Sequence, residues 1–325
     1  MKAVICPKYG SADVLQLVEV EKPVPRDNEV RIRIHAATVS QGDCEIRSFK
    51  FPAWLWLPLR LYVGIWKPKR PILGMELAGE IESVGKEVTR FKKSDRVVAS
   101  AGLRLGGHAE YACLPESCAI AKLPAKVAYE EAAPLPVGGA NALHFLRKAK
   151  VQKGEKVLVN GAGGSIGSFG VQLAKYYGAE VTAVDCTEKL DMLRSIGADH
   201  VIDYTKQHFS ESGEAYDVIL DVVFKTQFSR AKKSLAENGR LLVANPKLST
   251  LVRAPWTSRT TSKRVVVEFA GESSEDLRFL AELIEAGEIK PHIGRRYSLE
   301  QMAEAHAHVE SGQKQGHVVI TLDHS

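Results

Sequence analysis

The chain has 325 residues, too many for one ordinary domain of about 100–200 residues and enough for two. Its 45% apolar and 26% charged composition excludes wholesale disorder, and a net charge of +5, scattered in short clusters such as Lys67, Lys69 and Arg70, argues against a nucleic-acid partner. Five cysteines, at positions 6, 44, 113, 118 and 186, form no Cys-x-x-Cys pair, which argues against a disulfide framework or a cysteine-rich zinc site and suits a reducing compartment.

The first residues, Met1 to Ile5, carry no signal-peptide pattern, so a cytoplasmic location is expected. Up to about residue 125 the pattern is of short strands. Val30 to His35 alternates with period two, as a half-buried strand does, and 76–84 and 96–99 read similarly, with Gly79, Gly85, Gly102, Gly106 and Gly107 supplying turns. This half predicts a β-rich, partly open barrel. Within it, 51–66 is the most membrane-like stretch, with Trp54, Trp56 and Trp66. Pro52, Pro58 and Arg60 interrupt it, and it is shorter than the roughly 20 apolar residues of a spanning helix. Three readings stand for it: a partly buried flap or helix, a wall of a substrate cleft, or an interfacial membrane contact.

From about residue 129 the periodicity changes. Helical segments at 129–133 and 139–149 lead into strand–helix alternation: strands at 156–159, 180–184, 200–202, 217–220 and 240–244, and helices at 165–177, 188–196 and 226–236. Such alternation predicts a doubly wound parallel sheet with right-handed crossovers. A further strand at 265–269, helices at 274–286 and 299–310 and a last strand at 317–322 follow, and these final elements are expected to return to the first domain. The domains are thus 1–125, completed by 269–325, and 126–268; the fold class is α/β.

The strongest chemical signal is Gly161-Ala162-Gly163-Gly164-Ser165-Ile166-Gly167, which follows one strand and opens a helix. That context is what a dinucleotide fingerprint requires: glycines let the backbone approach a pyrophosphate, and the helix N-terminus presents N–H groups and a partial positive charge. The tight positions are Gly161, Gly164 and Gly167. Asp185, at the end of the second strand, suits the ribose hydroxyls of NAD and repels the 2′-phosphate of NADP, or else caps the helix after it. Lys189, four residues on, pairs with that phosphate or is a solvated surface charge, so the signals on cofactor choice are mixed.

Further motifs share an order and spacing with this loop: Ile72 to Glu80 with Val84-Gly85, Ser94 to Val97, Gly106 to Tyr111, Gly197-Ala198-Asp199 and Asp203-Tyr204. In these the chain resembles the medium-chain dehydrogenase/reductase superfamily, in its zinc-independent quinone oxidoreductase-like and enoyl reductase branch, over essentially its whole length. The resemblance implies a GroES-like catalytic domain, a Rossmann domain, an active site in the cleft between them, hydride transfer from a nicotinamide to a small-molecule substrate, and a homodimer, here through the strand near 265–269. The zinc-dependent members carry Gly-His-Glu where this chain has Gly74-Met75-Glu76. Ser40 stands at the first cysteine ligand, Pro134 to Gly138 covers the remaining one without a cysteine, and the structural zinc lobe is missing, so no metal is expected. His108, His306 and His308 are expected to pack or face solvent rather than bind metal.

The resemblance assigns Lys189 and Tyr204 to the 2′-phosphate of NADP, against Asp185, so NADP is slightly preferred over NAD. Asn141 takes the place of a threonine near the nicotinamide, Phe224 replaces a common glycine, and Val223 and Asn245 join Gly161, Gly164, Ser165, Ile166 and Gly167 as cofactor-binding residues. Lacking a metal, the enzyme is expected to reduce a quinone or an α,β-unsaturated carbonyl, hydrophobic or planar if 54–66 lines the cleft. The proton comes from water, Ser40, Asp43, Tyr62 or Tyr111. The competing readings are a nucleotide-binding regulatory or adaptor protein with weak catalysis and, behind it, a zinc alcohol dehydrogenase with relocated ligands.

Overall fold

The computed structural model describes residues 1–223, 228–268 and 270–324. The chain forms two compact units. One comprises Met1–Val137, Glu272–Ala286 and Ile293–Ser325; the other comprises Gly138–Gly271 and Gly287–His292.

The first unit opens with a hairpin-like pair, β1 (Lys2–Ile5) and β2 (Gln16–Glu19), followed by the long β3 (Glu29–Thr38). Two short helices, α1 (Gln41–Ser48) and α2 (Ala53–Val63), precede β4 (Glu76–Val84), β5 (Arg96–Ser100), β6 (Tyr111–Pro115) and β7 (Ile120–Lys122). The even residues of β3, Val30, Ile32, Ile34 and Ala36, are all buried, which is why this alternating run becomes the centre of the sheet. β3 pairs with β4 along its length, and two register shifts in that pairing curve the strand. It pairs with β6 through Glu29 to Arg33, while its C-terminal end receives a strand from the far end of the chain. The Ile, Leu and Val side chains of these strands make one core, joined by Leu299, Met302, Ala305 and Val309.

A short helix α3 (Tyr129–Ala132) and a π-helical turn, Leu135–Gly139, lead into α4 (Ala140–Ala149) of the second unit. There β8 (Lys156–Asn160), α5 (Ser165–Tyr176), β9 (Glu180–Asp185), α6 (Leu190–Ser195), β10 (His200–Asp203), β11 (Tyr216–Asp221), α7 (Phe228–Lys233), β12 (Leu235–Val243), α8 (Leu248–Thr260) and β13 (Arg264–Val267) follow. All five pairings are parallel, in the order β10-β9-β8-β11-β12-β13. In order of appearance that is 3-2-1-4-5-6, the doubly wound order of dinucleotide-binding sheets. Val157, Leu158, Val159, Val218, Ile219 and Leu220 are fully buried, as central strands covered on both faces must be.

The chain then returns to the first unit with α9 (Ser274–Glu285), β14 (Ile293–Ser298), α10 (Met302–Glu310) and β15 (His317–Thr321). β15 pairs antiparallel with β3 through Val319, Ile320 and Thr321. Two local expectations change and one helix is new. Of the helix expected over 226–236, the described part runs Phe228–Lys233 and stops early because β12 begins at Leu235 and turns at Asn238, whose φ is +62°; 226 and 227 lie outside the described residues. The edge strand is Arg264–Val267, and Phe269 and Phe224 lie outside the described residues. α8, with Pro255 inside it, has no clear periodicity in the sequence and is known only from the fold. Among the described residues no helix is long and apolar enough to cross a membrane.

Candidate functional site

Two groups of side chains carry chemistry, one in each unit. In the second unit, β8 and β11 lie side by side at the centre of the sheet, where the strand order reverses, and the segments at their carboxyl ends meet. Three glycines of the loop between β8 and α5 are glycine for three different reasons. Gly161 has φ +84°, and a Cβ there would lie within 2.8 Å of methyl groups of Val222 and Val223. At Gly167 a Cβ would sit 2.2 Å from the Gly161 carbonyl oxygen, so the helix packs on the loop only without one. Gly164 differs: a Cβ there meets no protein atom closer than 3.5 Å, at ordinary backbone angles. The fold does not need glycine at 164. The open space beside its backbone fits a pyrophosphate, as the glycine pattern led one to expect.

The first internal bond of α5 is Ser168 N–H to the Gly164 carbonyl, so the N–H groups of Ser165, Ile166 and Gly167 precede the helical ladder at its positive end. Gly161, Gly164, Ser165 and Ile166 are partly open and Gly167 is buried. These residues fit a dinucleotide. When bound, a nicotinamide cofactor supplies the hydride; the protein binds and orients it.

Asp185 and Lys189 turn out not to be independent signals. Both are buried, and Lys189 Nζ stands 3.3 Å from Asp185 Oδ1. Asp185 Oδ2 accepts the Gly163 N–H at 2.8 Å and Oδ1 accepts that of Cys186 at 2.9 Å. The carboxylate therefore holds the glycine loop in shape, and its charge is offset by a lysine that is not a solvated surface group. Tyr204 follows β10; its N–H bonds the Asp185 carbonyl and its side chain is exposed. Val223 N–H donates to Asp221 Oδ1 at 3.2 Å, and Asn245 Nδ2 donates to the Val222 carbonyl at 2.8 Å. Asn141 lies in the first turn of α4. Two residues the sequence reading missed tie this end of the sheet together: Asn160 Nδ2 donates to Asp221 Oδ1 at 3.0 Å, both buried. The signal was present, since Asp221 ends its strand as Asp185 ends its own.

In the first unit, Ser40 and Asp43 come together as a capping box at the start of α1. Ser40 Oγ donates to Asp43 Oδ2 at 2.6 Å, and the Ser40 N–H donates to the same oxygen at 2.8 Å. A Cβ built on Gly42 would be 3.1 Å from Met75 Sδ and 3.5 Å from Ser40 Oγ, so these two flank one point. The next residue, Glu76, accepts the Thr38 hydroxyl on Oε1 and the Val137 N–H on Oε2 at 2.7 Å. Burial pushes the Glu76 carboxyl up to about 8, and the nearby Asp43 adds to this, against the Thr38 and Val137 bonds and Lys314. Glu76 was read only as part of a motif; its proton is decided by burial. Tyr62 stands apart, exposed on α2, and Tyr111 on β6 carries the Lys22 ammonium over its ring at 3.8 Å.

Two family descriptions match the chain: the alcohol dehydrogenase GroES-like domain over residues 26–125 and the zinc-binding dehydrogenase over residues 196–320. The 2-methylene-furan-3-one reductase of Solanum lycopersicum is 33% identical over 98% of this chain and 79% of its own length. The quinone oxidoreductase of Homo sapiens is 31% identical over 96% and 94%. The chain belongs to the medium-chain dehydrogenase/reductase superfamily, in its quinone oxidoreductase and enoyl reductase branch. The structure of the quinone oxidoreductase from Coxiella burnetii, 25% identical, aligns over 99% of both chains with a TM-score of 0.88.

As a member of this superfamily the protein is an oxidoreductase that uses NAD(P) and a small-molecule substrate. The zinc ion of the dehydrogenases does not fit its residues. The ligand positions carry a hydroxyl, a thioether and no cysteine, and among the described residues no group of three or more His, Cys, Asp or Glu side chains can hold a metal. His108 and His306 are fully buried with their rings 5.5 Å apart, and Cys44 Sγ lies 3.4 Å from His306 Nδ1; they pack inside the unit. Burial holds His306 well below the usual histidine range, so it is neutral.

Proposed function

We propose that the protein reduces a quinone or an α,β-unsaturated carbonyl with hydride from NADPH. The observation that carries this is the pair Ser40 and Met75 where metal-dependent relatives place ligands. A hydroxyl and a thioether do not polarise a ketone as zinc does, so the acceptor must be electrophilic before it binds. An enone or quinone meets that requirement: hydride adds to its electron-poor carbon, and the negative charge passes to an oxygen that then takes a proton. Water and Ser40 Oγ are the two sources for that proton, with Asp43 orienting the hydroxyl; Tyr62 is left out because its helix face is exposed. Relatives named for quinone and furanone reduction support the reading.

The preference for NADPH rests on Lys189. Because it offsets Asp185, a 2′-phosphate would not meet an uncompensated carboxylate, and Tyr204 is exposed beside the same strand ends. A homodimer through β13 is part of the proposal. β13 is an edge strand, and α8 next to it exposes Leu248, Val252 and Trp256 at four-residue steps.

The test is oxidation of NADPH and NADH, followed spectrophotometrically, with naphthoquinones, orthoquinones, enals, simple ketones and, in reverse, alcohols. Turnover restricted to the first three with NADPH preferred is expected. Tight NADPH binding without turnover would favour a regulatory protein, and turnover of alcohols would overturn the assignment.

A further inference from the structure

Two thirty-residue stretches of the chain, 46–75 and 238–267, contain no acidic residue and six cations each; the remaining residues sum to −7. The net positive charge therefore belongs to these two stretches. The second contains the greater part of β12, α8 and the edge strand already considered. The first contains α2, and nothing in the catalytic reading uses it.

α2 is apolar on its outer face. Leu57 and Leu61 are one turn apart, with Trp56 and Tyr62 beside them, and Ile65 and Trp66 continue the face beyond the helix end; all six are exposed, Trp66 by 87%. The inner face is anchored: the Arg60 guanidinium lies 4.1–5.3 Å from the ring centroids of Phe49, Tyr9 and Trp56. The turn that presents Trp66 is also built. Gly64 has φ +142°, and a Cβ there would fall 2.0 Å from the Lys67 carbonyl. Tyr9 donates its hydroxyl proton to the Gly64 carbonyl at 2.7 Å, and Lys69 N–H donates to the Val63 carbonyl at 2.7 Å. Directly after the turn come Lys67, Lys69 and Arg70, all exposed.

A rigid face of tryptophan, tyrosine and leucine with a cationic rim matches one occupant. We infer that the outer face of α2 and the turn through Arg70 dock on an anionic lipid bilayer, lying in its interface. The eleven residues of α2 are too few to span, and the aromatic side chains belong at headgroup depth. The cations meet the negative surface of the leaflet, each adding to affinity. A nucleic acid would satisfy the cations and leave the apolar face in water.

The experiment is co-sedimentation of the whole protein with vesicles of phosphatidylcholine alone or mixed with phosphatidylserine, with tryptophan fluorescence read in parallel. The protein is expected to bind the mixed vesicles with a blue shift and to bind phosphatidylcholine at least tenfold more weakly. Binding should also weaken at least tenfold in about 1 M salt, where screening acts within about 3 Å. Lys67→Glu/Lys69→Glu/Arg70→Glu and, separately, Leu61→Ser/Trp66→Ser should each lose binding at least tenfold, with the melting temperature and the mass by light scattering unchanged.

Three results would overturn the inference: no binding to mixed vesicles, equal binding to both vesicle types, or variants that bind like the parent. A changed mass in Leu61→Ser/Trp66→Ser would assign the face to a second copy. A raised KM for an apolar acceptor with vesicle binding intact would assign it to substrate. None of these readouts depends on which acceptor the enzyme reduces.

Discussion

Glu76→Gln tests the electrostatics of the first unit directly. Glu76 is 2% exposed, and its carboxyl is raised from the ordinary 4.5 to about 8. A raised carboxyl means that the folded protein holds a proton the unfolded chain gives up. The stability this confers is complete below pH 4.5, falls as pH rises, and is gone above about pH 8. Each pH unit within that window costs about 1.4 kcal/mol, so between pH 6 and pH 9 the wild type should lose roughly 3 kcal/mol that a neutral side chain would not. Glutamine copies the protonated acid. It can donate to Thr38 Oγ1 and accept the Val137 N–H, so at pH 6 the variant should differ from wild type by about 1 kcal/mol or less.

The assay is urea unfolding followed by fluorescence at each pH from 6 to 9. The difference between the two proteins should move steadily in favour of Glu76→Gln as pH rises. A difference that stays flat across the series, or one that favours the wild type at pH 9, would refute the argument that burial keeps this acid protonated.

Four more substitutions test the remaining claims. Gly164→Ala should leave the melting temperature unchanged while weakening NADPH binding at least tenfold by fluorescence titration; its counterpart Gly167→Ala should destabilise by about 1–3 kcal/mol, because its Cβ meets backbone at 2.2 Å. Lys189→Ala should raise the KM for NADPH at least tenfold, change that for NADH less, and lower the melting temperature by stripping Asp185 of its partner; an unchanged ratio of the two KM values would remove Lys189 from cofactor choice. If Ser40 delivers the proton, Ser40→Ala should lower kcat about a hundredfold with the KM for NADPH unchanged, and wild-type kcat in that variant would leave water as the source.

Much of this protein was legible in one dimension. The strand–glycine loop–helix sequence at 156–167 predicts its own geometry, because glycine spacing, a short apolar run and a helix start are local properties. The exchange of metal ligands for Ser40, Met75 and a cysteine-free 134–138 is equally local once the motifs are aligned. The strand–helix alternation behind the parallel sheet and the buried periodicity of β3 follow from the same kind of pattern.

What the tertiary structure alone decided is how charges are spent. Asp185 and Lys189 read as opposed votes on the cofactor until the fold buried them as a pair, with Asp185 accepting the Gly163 N–H. Glu76 was one letter of a motif until burial, against the bonds from Thr38 and Val137, made it an acid that keeps its proton. Gly164 and Gly167 look alike in the sequence, and only the atoms around each show that the fold requires glycine at 167 and leaves open space at 164. The physical reason is common to all three. Backbone propensity and hydrophobic period are carried by neighbours in the chain, whereas the cost of a charge or of a methyl group depends on which distant atoms surround it.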